Sequence, residues 1–320
     1  MVSDWSHDKK GSAYRIVLIG MLAVLLAITG AEGMAQAAAL KQKTFKSPDA
    51  TVKALMDATR ANDVKALEAL FGPDSKDLIA SGDEVDDTRG REMFVKAYGE
   101  AHRLEKAGDN KRILYVGKND WPMPVPIVKT GKRWHFQTEE GRQEILNRRI
   151  GKNEIGAIQT CLAIVDAEKE YAVLDRDTDR LLEYAQKFES EQGKKDGLYW
   201  EAAPGEPLSP LGPLVARATT EGYREAEQLS PYHGYFFRII TAQGENANGG
   251  AYSYIVNGSM IGGFAIVAYP ALYRSSGVKT FIVNHAGVVY EKDLGPETAQ
   301  LAVAITVFDP DKSWKKVEAQ

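Results

Sequence analysis

The 320-residue chain has a single cysteine, Cys161, so no internal disulfide can form and stability has to come from packed cores. That cysteine sits in Ile158-Gln159-Thr160-Cys161-Leu162-Ala163-Ile164-Val165, an apolar helical context that reads as a buried, inert thiol. Basic residues are not in excess. Forty Lys and Arg against 44 Asp and Glu leave a net charge of −4, which excludes a global positive field able to hold a phosphate backbone, so no nucleic-acid partner is expected. Histidine is sparse beyond the N-terminal leader: His102, His135, His233 and His285 lie too far apart in sequence to form a local transition-metal ligand pair. The chain also lacks a hydrolase elbow, since Gly258-Ser259-Met260-Ile261-Gly262 has the wrong glycine spacing around Ser259. Gly249-Gly250 and Gly262-Gly263 precede no helix start with Lys, so neither reads as a phosphate cradle. No catalytic motif emerges, and a non-enzyme is favoured.

Long hydrophobic runs are absent except at the start. Lys9, Lys10 and Arg15 precede an apolar run from Ile16 to Thr29, and Ala35-Gln36-Ala37 supplies the small residues a signal peptidase reads. Residues 1–37 therefore read as a signal peptide, and the mature protein as exported, periplasmic or secreted, with no membrane span after cleavage.

What is present divides into two modules. Ser47 and Pro48 are placed as helix cap and first-turn residue, and Val52, Leu55, Met56, Val64, Leu67 and Leu70 recur at helical spacing, divided into two helices by Asn62-Asp63. The acidic run Asp83-Glu84-Val85-Asp86-Asp87, faced by Arg89 and Arg91, reads as a solvated loop, and a third helix is expected over Arg91 to Leu104. Strands follow at Arg112 to Val116, Trp121 to Val128 and Arg133 to Phe136. Pro122, Pro124 and Pro126 at alternate positions predict that the middle strand lies at a sheet edge. Helical pattern then runs from Glu139 to Tyr171, with bends expected at Gly151 and Gly156. The joint between the modules, residues 38–150 and 151–320, is expected between Glu139 and Gly156. The first module carries 21 basic and 18 acidic residues, the second 16 and 23, giving +3 and −7. In the second, a helix over Leu181 to Phe188 and a turn-rich stretch from Gly193 to Pro213 lead to strands at Tyr235–Ile240, Gly263–Ala268, Lys279–Val283 and Val288–Tyr290. The fold class is α+β, each module having helices before an antiparallel sheet.

Gly131-Lys132-Arg133-Trp134-His135-Phe136, after helices and within a meander, resembles nuclear-transport-factor-2-like or cystatin-like domains over residues 45–138. The long helix before Gly234-Tyr235-Phe236-Phe237, Phe264, Phe281-Ile282-Val283 and Gly287-Val288-Val289-Tyr290 resembles the globular part of type IV pilins and pseudopilins, without the apolar spine through which those polymerise. Whole phrases, among them Gly117-Lys118-Asn119-Asp120-Trp121-Pro122, Glu144-Ile145-Leu146-Asn147-Arg148-Arg149-Ile150-Gly151 and Ser209-Pro210-Leu211-Gly212-Pro213-Leu214, are similar to the exported bacterial family DUF2950. That resemblance implies export and transfers no catalytic residues.

Two constellations could carry chemistry. Asp175, Asp177 and Asp179, with Glu183, place oxygen ligands at a spacing that can wrap calcium, although Arg180 and Gln186 stand where a helix-loop-helix calcium loop has Gly and Glu; otherwise the aspartates cap the next helix. Asp120, Trp121 and His135 could line a pocket in the first module, and His233 and His285 could meet in the second. The expected function is a non-catalytic binding or assembly protein of the cell envelope, acting on an envelope protein or ligand. Alternatives are an enzyme or small-ligand binder using the first-module pocket, and a pilus-associated component.

Overall fold

Ser47 accepts a hydrogen bond from the Ala50 N–H and Pro48 occupies the first turn, so the first helix begins where the sequence places it. In this computed structural model, which describes residues 41–176, 178–223 and 230–318, α1 spans Pro48–Arg60 and α2 Val64–Phe71, the latter capped by Asp63. The short α3, Lys76–Ile79, precedes α4, Glu84–Glu100. The acidic run is thus not a solvated loop. Asp83, only 2% exposed, is the cap of α4 and accepts from the Asp86 N–H, while Glu84, Asp86 and Asp87 form the first turn, where carboxylates favour the positive end of the helix dipole. At its other end α4 stops short of the expected Leu104. The hairpin of β1, His102–Lys106, with β2, Lys111–Val116, takes those residues, and Arg103 stacks 3.8 Å over the Tyr115 ring.

The proline-rich segment is divided: its first part, Trp121–Pro122, has a single strand partner, and only its end enters the interior of the sheet. β3, Trp121–Pro122, and β4, Ile127–Thr130, both pair with β2, and β4 lies between β2 and β5, Arg133–Phe136. The pairing strand resumes at Ile127, after the last proline, so the residue lacking an N–H never enters the doubly bonded strand. A glycine packs against the intervening bend, since a Cβ on Gly141 would come 2.5 Å from the Pro124 carbonyl carbon.

Gly141 belongs to α5, Thr138–Tyr171, 34 residues that run unbroken through Gly151 and Gly156. Leu146 and Ile150 pack into a first core built on Leu55, Leu70, Ile127 and Phe136; from Ala157 onward, Cys161, Ile164 and Tyr171 enter a second. The change of core falls between Ile150 and Ala157. After α5 the expected helix over Leu181 to Phe188 does not form. Tyr184 bridges to Met260 and Glu189 to Tyr199, and the Ala185 N–H donates to the Glu168 carboxylate at 2.9 Å, so distant partners hold the segment extended. α6 spans Gly212–Glu221.

The second sheet contains β6, Tyr235–Ile240; the small pairs β7, Ala242–Gln243, with β8, Tyr252–Ser253, and β9, Ile255–Val256, with β10, Ser259–Met260, lie outside it. With β11, Ala265–Pro270, β12, Lys279–Asn284, β13, Val289–Asp293, and β14, Lys315–Lys316, the antiparallel order is β14-β13-β12-β11-β6. β11 and β12 are buried almost throughout, with α5 packed against both; α7, Thr298–Ala304, packs against β11. The fold class is α+β, with antiparallel sheets after the helices. The expected signal peptide lies outside the described residues, and no described helix is long and apolar enough to cross a membrane.

Candidate functional site

The first-module trio is not assembled into one cluster. Asp120, with φ 51°, is exposed and accepts from Arg103 Nε at 3.1 Å; Trp121 lies under the Arg148 guanidinium at 5.3 Å. His135 takes the half-buried position of β5 between buried Trp134 and Phe136, and burial lowers its pKa. No described hydrogen bond or ring contact joins it to the other two.

Of the possible calcium ligands, Asp177 lies outside the described residues. Asp175 accepts from the Thr178 and Arg180 N–H groups at 2.7 and 2.9 Å, Asp179 from Leu181, and Glu183 from the distant Met260 N–H at 3.2 Å. The aspartates close a turn. Among the described residues no group of three or more His, Cys, Asp or Glu is arranged to hold a metal ion. Cys161 is fully buried and its pKa is pushed up to about 12, which leaves a thiol with no nucleophilic use.

His233 and His285 occupy separate surroundings. His285 packs edge-on against Tyr254 and Phe264, whereas His233 joins a cluster that ties α4 to α6. Asp83 Oδ2 accepts from Tyr223 Oη at 2.8 Å and from the Gly234 N–H at 2.9 Å, and Tyr223 Oη accepts from the His233 N–H at 3.1 Å. Glu221 is flanked by Arg89 at 3.1 Å and Arg217 at 3.3 Å, and its Oε2 lies 3.0 Å from His233 Nε2. Burial works to raise the Glu221 pKa, but Arg89, His233 and Arg217 outweigh it and the net shift is downward. For His233 burial wins over Glu221, and its pKa is lowered. Tyr232, which donates to Glu221, is pushed up to about 12 by burial and that carboxylate, and Tyr223 is raised further by burial and Asp83. These phenols stay protonated and are poor bases.

The turn carrying His233 is under local constraint. His233 has φ 50° and Gly234 φ 75°, and a Cβ at Gly234 would meet Asn153 Nδ2 at 2.6 Å. The cleft beside this cluster, about 930 Å³, is polar, and the ionic groups of Arg89, Arg217 and Glu221 along it are already paired with one another. The arrangement can hold two parts of the chain together.

A different surface remains open. β6 ends the second sheet, and the Gly234 carbonyl accepts from the Ala271 N–H at 2.9 Å. Because antiparallel partners alternate, that bond and the register turn the peptide groups of Phe236, Arg238 and Ile240 toward β11, and those of Phe237 and Ile239 outward. No described backbone group pairs with those outward groups. Beside them lies a groove of about 570 Å³, bounded by Phe237 and Ile239, by Leu211 and Val215 at α6, and by the extended residues Gln186 to Glu189. A second cavity of about 220 Å³ reaches from the same Phe188, Leu211, Val215 and Phe237 to Thr160 and Ile164 of α5.

Glu168 helps hold the far wall of this groove and was not singled out by motif. Its side chain is buried in the second core, Oε2 accepts from Ala185, Oε1 has no hydrogen-bond partner, and burial raises its pKa well above the ordinary value. The signal was in the period: Ala157, Cys161, Ile164, Glu168 and Tyr171 recur at three- and four-residue intervals, putting a carboxylate on the apolar face.

No curated protein and no solved structure matches the chain. The family model described as "Protein of unknown function (DUF2950)" matches residues 42–317, which include both cores, the polar cluster and the groove. The chain therefore belongs to the DUF2950 family.

Proposed function

We propose that this chain is a non-catalytic binding or assembly protein of the bacterial cell envelope. One observation carries the reading: the groups best suited to chemistry are engaged in holding the fold, while an apolar groove beside an unpaired sheet edge is left open. Asp83 and Glu221 are saturated by their neighbours, Cys161 is buried, and Asp120, Trp121 and His135 do not gather into one site. Residues 1–37 act in this reading as a cleaved signal peptide, so mass spectrometry of exported protein is expected to find an N-terminus within two residues of Ala38.

The finer likenesses belong to the same proposal. Helices before a meander support a nuclear-transport-factor-2-like or cystatin-like first module, and α5 leading into an antiparallel sheet supports a pilin-like second one. The open edge of β6 favours assembly over small-ligand binding in the first module. The test is affinity capture from an envelope extract with tagged chain starting at Ala38, beside the same chain carrying Val215→Arg in the groove wall or Trp121→Ala in the first module. Partners lost with Val215→Arg and kept with Trp121→Ala support the reading; partners lost only with Trp121→Ala move the site to the first module, and turnover of any captured small molecule overturns the non-catalytic assignment.

A further inference from the structure

We infer that the edge of β6 is a strand-addition site that takes an extended, basic polypeptide segment of another protein, with apolar side chains at alternate positions. The inference rests on the binding-protein reading and names the class of partner.

The other sheet edges are guarded. An unpaired edge is a template for any extended chain, and proteins guard such edges with short strands, lysines or covering segments. β14, at the opposite end of the same sheet, is two residues long, and both are exposed lysines. β1 reads His-Arg-Leu-Glu-Lys and is mostly exposed. β5 is covered where Phe45 bridges to Trp134. β6 is covered only at its start, where Tyr232 bridges to Tyr235; its outward groups at Phe237 and Ile239 have no backbone partner among the described residues. It is six residues long, Tyr-Phe-Phe-Arg-Ile-Ile, and its one charge is turned away from the groove's apolar wall, Arg238 Nη2 donating to the Ala302, Val303 and Ile305 carbonyls at the end of α7.

The shape selects the occupant. The outward N–H and C=O groups of Phe237 and Ile239 are two residues apart, about 7 Å, the repeat at which a second extended backbone presents matching groups. The extended residues Gln186 to Glu189 line the same groove as Phe237 and Ile239, so a strand that pairs with this edge lies between these walls. Every second side chain of the incoming strand meets Phe237, Ile239, Leu211 and Val215. Charge sets the rest: of the charged residues lining the groove, Lys187 is paired with Glu191 and Asp196 and the Arg238 guanidinium is held by backbone carbonyls, whereas Glu189 has no ion-pair partner among the described residues, and residues 151–320 carry 16 basic against 23 acidic side chains.

The test uses the full mature chain and a fluorescein-labelled decapeptide of alternating valine and threonine with lysine at both ends, read by fluorescence anisotropy. Saturable binding is expected, weakened at least tenfold when the peptide is N-methylated at alternate residues on the edge-facing side. An aspartate-ended version is expected to bind several-fold more weakly. Ile239→Pro removes an outward N–H that no described backbone group uses, and Val215→Arg fills the groove without touching the strand; each is expected to lower affinity at least tenfold with circular dichroism unchanged. Binding indifferent to N-methylation and to both variants overturns the strand-addition site. A concentration-dependent dimer abolished by Ile239→Pro also overturns it, assigning the edge to a second copy. If the peptide fails to bind while envelope partners are still captured in a manner sensitive to Val215→Arg, strand addition fails and the binding-protein reading stands.

Discussion

Glu168 shows how one side chain sets the pH behaviour of the second core. A carboxyl whose pKa is raised in the folded state contributes most below the ordinary carboxylate range, and stability is lost as pH rises through the folded pKa. Glu168→Gln keeps an acceptor for the Ala185 N–H and cannot ionise, so its melting temperature is expected to exceed that of the unaltered protein at pH 7, with the difference closing near pH 4. Thermal denaturation at the two pH values checks it, and a lower melting temperature for the variant at pH 7 contradicts the argument. The histidines act in the opposite direction. His135, His233 and His285 are all lowered by burial, so the unfolded chain binds protons first and stability is expected to fall as pH drops through about 6.5 toward their folded pKa values. Urea denaturation from pH 7.5 to 5.5 measures this, and His233→Gln should flatten the slope without removing it.

Among the elements, α4 depends on Asp83 at both a local and a distant level. Asp83→Ala removes the cap and leaves the Gly234 N–H and Tyr223 hydroxyl without their acceptor, a loss expected to cost about 3 kcal/mol, whereas Tyr223→Phe removes one bond and should cost about 1 kcal/mol. Equal losses in urea denaturation would contradict the shared role. At the Asp175 turn, carboxylates already accept backbone N–H groups, so millimolar calcium is expected to leave the melting temperature unmoved. A rise abolished by Asp177→Asn would restore the cation site. Elements whose signals are local were legible in the sequence: Ser47-Pro48 opens α1, Asp63 opens α2, and β6 and the β12–β13 hairpin follow their apolar runs. Elements decided by remote partners were not. Residues 181–189 have helical spacing, but Met260, Tyr199 and Glu168 hold them extended; the acidic run looks solvated until Gly234, 151 residues away, donates to Asp83. The groove was equally hidden, because its walls come from α6, β6 and residues 186–189, which no pattern within one window connects.

For the whole molecule, the described residues form one compact unit with two cores on a common helix. A fragment ending at Thr138 loses Leu146 and Ile150, which pack into the first core, so it is expected to be expanded and to bind a hydrophobic dye, while one ending at Gly156 should unfold cooperatively. Equal cooperativity of both fragments would mean that this part of α5 is dispensable. The helix is not the only tie between the halves. Arg149 donates to the Asp77 and Leu78 carbonyls and to Ser275, and Asp83 reaches Gly234, so the connection is closed at more than one point. A single tether would let the halves swivel about its axis; added fastenings away from that axis make a braced frame. Tension applied to a chain gripped along β6 would then be borne by the first module as well, and pulling experiments in which the two halves rupture together would register the bracing as mechanical strength.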